Sequence, residues 1–432
     1  MQKVVNVCTR VEGHGKVEYF LQNEKIEHVE FDLSVFRGFE NLLLGKKLND
    51  IPRIVSRICG LCHASQTFAS CKAIENIYEI EPSFQSTLLR RLLMTGELIK
   101  SHIMHFFFQC MPDLLEIFQM VKKEINSYQL IKFDPQLTTS VYDLIKLATE
   151  INNVFGGRIL HLITPTPGGI IYIPSKKNLI IIQKYLQKAL SNIQYILNKF
   201  IDLFSIKNPP LEFNLTDTTY LGMLNNQKYD RYKGDLNIGQ NNRNEINIDI
   251  AEYEKYFNKD SNLFGIKFIS NDNKNILTGP FARFNLAQID NNKRDSYLTA
   301  FSNSWNNNLL FMNFLQLLEV NDEIKKSIEI LENHNLDNKE SFPSLSSIVN
   351  HNGIGIIEAP RGSLIHHYHL NKSNVVDQVK LFIATEINFP LLNASIKNYA
   401  QNLYEKEDLE SVNRKVQMMI RAFDPCISCA TH

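Results

Sequence analysis

Residues 175–204 read SKKNLIIIQKYLQKALSNIQYILNKFIDLF, with Leu179, Ile182, Tyr185, Leu186, Leu190, Ile193 and Ile196 recurring at intervals of three and four. That spacing lays one apolar stripe along a long helix, and such a stripe is stable only when other helices cover it, so a bundle is expected. The same period runs through Thr139 to Val154, stopped by Gly156-Gly157, and through Pro82 to Cys110 and Ala64 to Tyr78. Towards the C-terminus, helices are expected from Tyr297 to Asn333 and from Leu409 to Ile420. From Val4 to Leu33 the period is two instead, with Val17, Tyr19 and Leu21 on one face and a polar Gln22-Asn23-Glu24-Lys25 turn before Ile26. This predicts a β-hairpin or small sheet. Between Asn214 and Asn275 polar residues surround short alternating pieces such as Ile246-Asn247-Ile248-Asp249-Ile250, as in a peripheral insertion, and Gly353 to Leu364 reads as a glycine-rich loop with strand character. The expected fold is α+β and predominantly α-helical. It has a long helix-bundle core, an N-terminal β-hairpin or small sheet and peripheral β pieces, in a single composite domain over residues 1–432.

The chain has 432 residues, 44% hydrophobic and 21% charged, enough apolar material for a large core. Lys+Arg 46 balances Asp+Glu 46, so no net field favours nucleic acid or an anionic membrane. Lys, Asn, Gln and Asp interrupt every apolar run before it reaches the roughly eighteen residues needed to span a bilayer. The start Met1-Gln2-Lys3-Val4 moves straight into strand-like alternation rather than a secretory signal, and the expected compartment is the cytoplasm.

Seven cysteines are an odd number for a disulfide framework. Cys59 and Cys62 form one C-x-x-C, Cys426 and Cys429 form another, and Cys8, Cys71 and Cys110 stand apart as small buried hydrophobes. Thiolates are the ligands soft metals prefer, and two such pairs make a four-thiolate site. A structural zinc usually draws its pairs from one ribbon, some fifteen to twenty residues apart. Here nearly the whole chain lies between them. Spacing alone leaves a structural zinc and a catalytic or redox metal both open.

The flanks are more specific. The first pair is set in Arg57-Ile58-Cys59-Gly60-Leu61-Cys62-His63, and the second in Arg421-Ala422-Phe423-Asp424-Pro425-Cys426-Ile427-Ser428-Cys429-Ala430-Thr431-His432. Arg10-Val11-Glu12-Gly13-His14, Phe36-Arg37-Gly38-Phe39-Glu40 and Glu358-Ala359-Pro360-Arg361-Gly362 stand in order along the chain, with weaker echoes at His102 to Phe106, Gly156 to His161 and Gly279 to Arg283. Together these resemble the large, catalytic subunit of NiFe hydrogenases, most of all the cytoplasmic branch that couples hydrogen to soluble carriers. The resemblance runs from residue 10 to the last residue. The related quinone-site subunit of respiratory complex I lacks the four cysteines.

What the resemblance implies is an enzyme for the reversible oxidation of dihydrogen at a Ni-Fe centre. By it, Cys59 and Cys426 are terminal nickel thiolates, and Cys62 and Cys429 bridge nickel to an iron carrying CO and cyanide. Glu12 matches the glutamate that takes a proton from a terminal cysteine sulfur. Arg361 matches the arginine over the open metal position, which also bonds a cyanide, and Asp424 would orient that arginine. Thr385 aligns with a serine or threonine that donates to the other cyanide. Glu40, the carbonyl of Leu381 and the terminal His432 correspond to the ligands of a magnesium completed by water. His63, His102 and His105 read as core or interface histidines. The partner implied is an iron-sulfur-cluster small subunit, since no cysteine set remains for clusters; flavin or nicotinamide modules would sit on further electron-transfer subunits, because no G-x-G-x-x-G opens a helix here.

Two positions depart from the family pattern. Gln66 stands where a histidine often bonds a bridging sulfur; its amide can donate the same bond but cannot ionise. Ser101 stands before His102, where some relatives carry aspartate. Gln66 keeps open a second reading, a hydrogen-sensing subunit with slow turnover, and a zinc-stapled structural subunit is the third.

Overall fold

The computed structural model describes residues 1–33, 38–122, 125–215, 218–240, 243–260, 265–268, 275–287, 297–336, 343, 345 and 347–432. Phe36 and Arg37 of the F-R-G-x-E motif lie outside the described residues. The N-terminal strands Gln2–Val7, Lys16–Gln22 and Lys25–Asp32 form an antiparallel meander. Its tight turn places Asn23 (φ 51°) and Glu24 (φ 59°) in the left-handed region, where the backbone twist matches that of the flanking strands. Val17 and Tyr19 are fully buried on the expected face.

Four helices close a ring. Phe84–Met104 packs on Pro135–Gly156, that helix on Lys176–Phe204, that on Met312–Asn333, and the last returns to Phe84–Met104. The stripe read from residues 175–204 faces inward, with Ile182, Leu186, Ile193 and Ile196 fully buried. Gly157 (φ 72°) ends its helix as expected. Helix Phe84–Met104 does not run unbroken to Cys110: residues His105–Cys110 widen into a π-turn before Met111–Ile117 resumes α geometry. Such turns re-aim side chains and recur at functional sites.

The structure differs from the sequence expectation at three further places. The stretch after Tyr297 holds 3-10 turns at Asn303–Trp305 and Leu309–Phe311, and the helix starts only at Met312. Asn308 explains this locally, because its side chain accepts from Leu310 N–H and competes with helical pairing. The segment 214–275 is more deeply embedded than its polar composition suggests. Leu221, Met223, Leu236 and Ile238 are buried in a second core with Ile356, Ile365, Phe382 and Ile387. Third, helix Ala384–Tyr404 is absent from the sequence reading, since Pro390 inside it obscures the period.

The site rests on strands Asn352–Ala359, Gly362–Leu370 and Val376–Phe382, an antiparallel sheet lying against helix His63–Tyr78. Gly353 and Gly355 allow the approach. A Cβ at Gly355 would run into the Ala69 carbonyl, and one at Gly353 into the Ala73 carbonyl. Neither has a positive φ, so closeness and not backbone freedom is what these glycines provide.

Candidate metal centre

Each cysteine pair sits where the chain turns into a helix. Cys62 is the N-cap of His63–Tyr78, so its sulfur lies at the positive end of that helix dipole, and Leu61 N–H donates to Cys59 Sγ at 3.3 Å. Helix Leu409–Ala422 ends in a turn at Asp424, which holds φ 50°, and Pro425 prevents continuation into Cys426. The N-terminal loop then adds a short parallel bridge between Glu12 and Cys426, with Ile427 N–H donating to the Glu12 carbonyl at 3.1 Å. Gly13 (φ 89°) is required there, since a Cβ would come 2.8 Å from Ile427 Cβ.

The outcome is convergence across nearly the whole chain. The four Sγ atoms lie within 4.8 Å of one another, all buried, and this is the group of potential metal ligands found among the described residues. Cys426 Sγ is 2.8 Å from Cys429 Sγ, 3.4 Å from Cys59 Sγ and 3.9 Å from Cys62 Sγ. Burial pushes the Cys426 and Cys429 thiols well above their ordinary range, while hydrogen bonds from the neighbouring thiols hold Cys59 well below it. Four thiolates in this space therefore require positive charge beside them.

Glu12 Oε2 is 3.2 Å from Cys426 Sγ and accepts from Ser428 N–H at 3.0 Å. Burial, and then the negative charge of Cys59, push its carboxyl up. Arg361 Nη1 donates to Cys62 Sγ at 3.4 Å, and Nε donates to Asp424 Oδ1 at 2.9 Å. Arg361 Nη2 is ion-paired with the same oxygen at 2.9 Å but out of line for a hydrogen bond, and it is buried with no hydrogen-bond acceptor. Burial opposes the cation, but Asp424 and the cysteines more than offset it. Asp424 thus both ends the helix and orients the arginine. Thr385, in the first turn of Ala384–Tyr404, accepts from Cys426 N–H at 2.9 Å, leaving its hydroxyl proton unspent on that bond.

A second, smaller cluster joins Glu40, Leu381 and His432. Leu381 N–H donates to Glu40 Oε1 at 2.8 Å, and His432 Nε2 is 3.4 Å from the same oxygen while its Nδ1 reaches the Cys429 carbonyl at 2.9 Å. In an extended strand the N–H and C=O of one residue share an edge, so the Leu381 carbonyl faces the Glu40 side.

The histidines separate as expected. His102 pairs with Glu319 at 3.0 Å; His105 uses both nitrogens, on Gln316 (2.7 Å) and the Arg421 carbonyl (2.7 Å); none belongs to the four-sulfur group. Several supports escape sequence reading. Asp113 ties Arg10 (2.5 Å) to Arg421 (2.6 Å), locking the loop of Glu12 to the helix before Cys426. Gln316 donates to Asp424 at 2.9 Å. Glu97 accepts from Ala64 N–H (2.5 Å), Ser65 N–H (3.1 Å) and the Ser65 hydroxyl at the start of His63–Tyr78, and burial pushes its carboxyl up to about 7. A buried-face carboxylate on an amphipathic helix was the available signal for Glu97; Asp113 offered only a Pro-Asp pair beyond an apolar run.

Comparison with known proteins agrees with this geometry. A family model described as nickel-dependent hydrogenase matches residues 37–293 and 304–432. The chain is 30% identical to an F420-non-reducing hydrogenase chain of Methanothermobacter marburgensis, over 98% of this chain and 93% of that one. It is 24% identical to the NAD-reducing hydrogenase HoxS subunit beta of Cupriavidus necator, over 99% and 94%. In structure it is similar to an NAD+-reducing NiFe hydrogenase in the H2-reduced state, with a TM-score of 0.88, 24% identity and complete coverage of both chains.

Proposed function

The chain belongs to the nickel-dependent hydrogenase family, and we propose that Cys59 and Cys426 are terminal thiolates of nickel while Cys62 and Cys429 are shared with an iron carrying CO and cyanide. It is the catalytic subunit for the reversible oxidation of dihydrogen to two protons and two electrons. Support for the ligand assignment comes from the donor set: four buried sulfurs whose thiolate forms need cations, and a buried Arg361 Nη2 that is ion-paired with Asp424 yet has no hydrogen-bond acceptor in line, which a cyanide nitrogen would supply. When bound, the metal pair supplies the open position at which dihydrogen is split.

The chain's own residues then handle charge and protons. Glu12, 3.2 Å from Cys426 Sγ, takes a proton from that sulfur, and burial raises its affinity for protons. Arg361 supplies a fixed positive charge, held in place by Asp424, which Gln316 in turn fixes. Thr385 positions the Cys426 backbone, and its hydroxyl proton would be available to a second cyanide. Glu40, His432 and the Leu381 carbonyl hold a magnesium completed by water, fastening the chain's last residue beside the second pair.

Electrons leave through an iron-sulfur-cluster small subunit, and any flavin or nicotinamide module belongs to other chains. Cys8, Cys71 and Cys110 are buried and stand outside the four-sulfur group. No described helix is long and apolar enough to cross a membrane, and we place the complex in the cytoplasm. The observation that carries the reading is the convergence of four sulfurs with Glu12 in contact. Its test is hydrogen-dependent reduction of a viologen dye by the purified complex. Uptake is expected in the parent and none in Cys429→Ser; a parent without uptake contradicts the activity.

A further inference from the structure

Gln66 Nε2 lies 4.0 Å from Cys429 Sγ, a long contact for a sulfur acceptor, and Gln66 Oε1 lies 2.7 Å from His366 Nε2. His366 Nδ1 is 2.7 Å from the Tyr368 hydroxyl, which reaches Ser70 Oγ at 3.0 Å. All four side chains are buried to within 1%. The arrangement follows from the backbone. His366 pairs with Gly355 and Tyr368 with Gly353, and directly opposed residues in an antiparallel pair share a face. The two glycines let helix His63–Tyr78 settle onto that face, which brings Gln66 and Ser70 of the helix against His366 and Tyr368 of the strand.

A glutamine amide fits this space in two orientations. With its NH2 toward Cys429 it donates to sulfur and accepts from His366 Nε2–H. Flipped, it turns a carbonyl oxygen on a thiolate and must donate to an unprotonated Nε2. We propose that His366 is a positioning residue for the Ni-Fe centre: held as the Nε2–H form, it fixes the Gln66 amide so that its N–H points at Cys429 Sγ. Burial keeps the ring neutral. With Nε2–H turned to Gln66, Nδ1 is the ring's acceptor: the Tyr368 hydroxyl gives its one proton to it, and Ser70 then donates to the Tyr368 oxygen across the 3.0 Å contact. A hydrogen bond to a metal-bound thiolate withdraws electron density from the metals it serves. His366 thereby acts on the centre without touching a ligand.

This inference rests on the Ni-Fe reading, and the experiment separates their failures. The purified complex is examined first: absence of nickel, iron or the CO and cyanide infrared bands in the parent fails the Ni-Fe reading itself. With the parent sound, His366→Leu should retain its metal content, yet its CO band should move to lower frequency and its midpoint potential to more negative values. Gln66→Leu should give the same shift, and the double variant should shift no further, since His366 works only through Gln66. Unchanged bands in His366→Leu, or shifts that add in the double variant, overturn the proposal. Should His366→Leu not accumulate, Tyr368→Phe removes one oxygen and keeps the packing. It should shift the bands in the same direction by less, and unchanged bands there overturn the proposal equally.

Discussion

Glu12→Gln separates moving protons from holding metal. The substitution keeps the size of the side chain and leaves an oxygen to accept Ser428 N–H at the present 3.0 Å, so the bridge between Glu12 and Cys426 should survive. What disappears is a group able to take a proton across the 3.2 Å to Cys426 Sγ. A positioned side chain contributes about 10²–10⁴-fold to such a step. At about 1.36 kcal/mol per tenfold, that is about 2.7–5.4 kcal/mol of barrier. The variant complex should therefore carry normal nickel and iron with unaltered infrared bands, while hydrogen oxidation and hydrogen/deuterium exchange with solvent fall by that factor. Interconversion of para- and ortho-hydrogen, which needs cleavage and recombination but no proton escape, should fall much less. Exchange with solvent at the parental rate would refute the assignment and return the loop from Arg10 to His14 to a structural role.

Arg361→Lys should keep the metals and lose most turnover in the dye assay, because one ammonium cannot span both Cys62 Sγ and Asp424 as the planar fork does; unchanged turnover would remove Arg361 from the site. Deleting His432 removes the contacts to Glu40 and the Cys429 carbonyl, so metal content and thermal stability should both drop, and parental values for both would contradict the terminal anchor. Glu97→Gln should show a pH-dependent gain. The folded carboxyl, raised from 4.5 to about 7, is costly to ionise, so the parent loses stability as pH rises through that window, by about 3 kcal/mol in all. Relative to the parent, the variant's melting temperature should climb between pH 4.5 and 7 and level off above; a constant difference would show that Glu97 is not strained by its charge.

The parts of the fold that were legible in the sequence are those that local chemistry specifies. The stripe at Ile182, Leu186 and Ile193 faces the bundle because 3.6-residue periodicity is intrinsic to a helix. The turn at Asn23 and Glu24 is equally local. The four-cysteine cluster was legible for a related reason: soft-metal chemistry points to cysteine, and the two C-x-x-C pairs stand out in the chain. Illegible were the pairings made over hundreds of residues. Nothing near Asp113 announces that it will clamp Arg10 and Arg421, and nothing near His366 announces Gln66. Polar composition across 214–275 also hid the second core, where Leu221 and Ile238 lie in short strands between polar loops and are buried in one cluster with Ile356 and Ile365.

The central claim is that four sulfurs from opposite ends of the chain hold nickel and iron together. Elemental analysis of the purified complex, read with its infrared spectrum, tests this most directly. The complex should hold about one nickel per chain, iron beyond that of the partner's clusters, and sharp CO and cyanide bands; zinc alone, with neither nickel nor those bands, would rule out a Ni-Fe centre here.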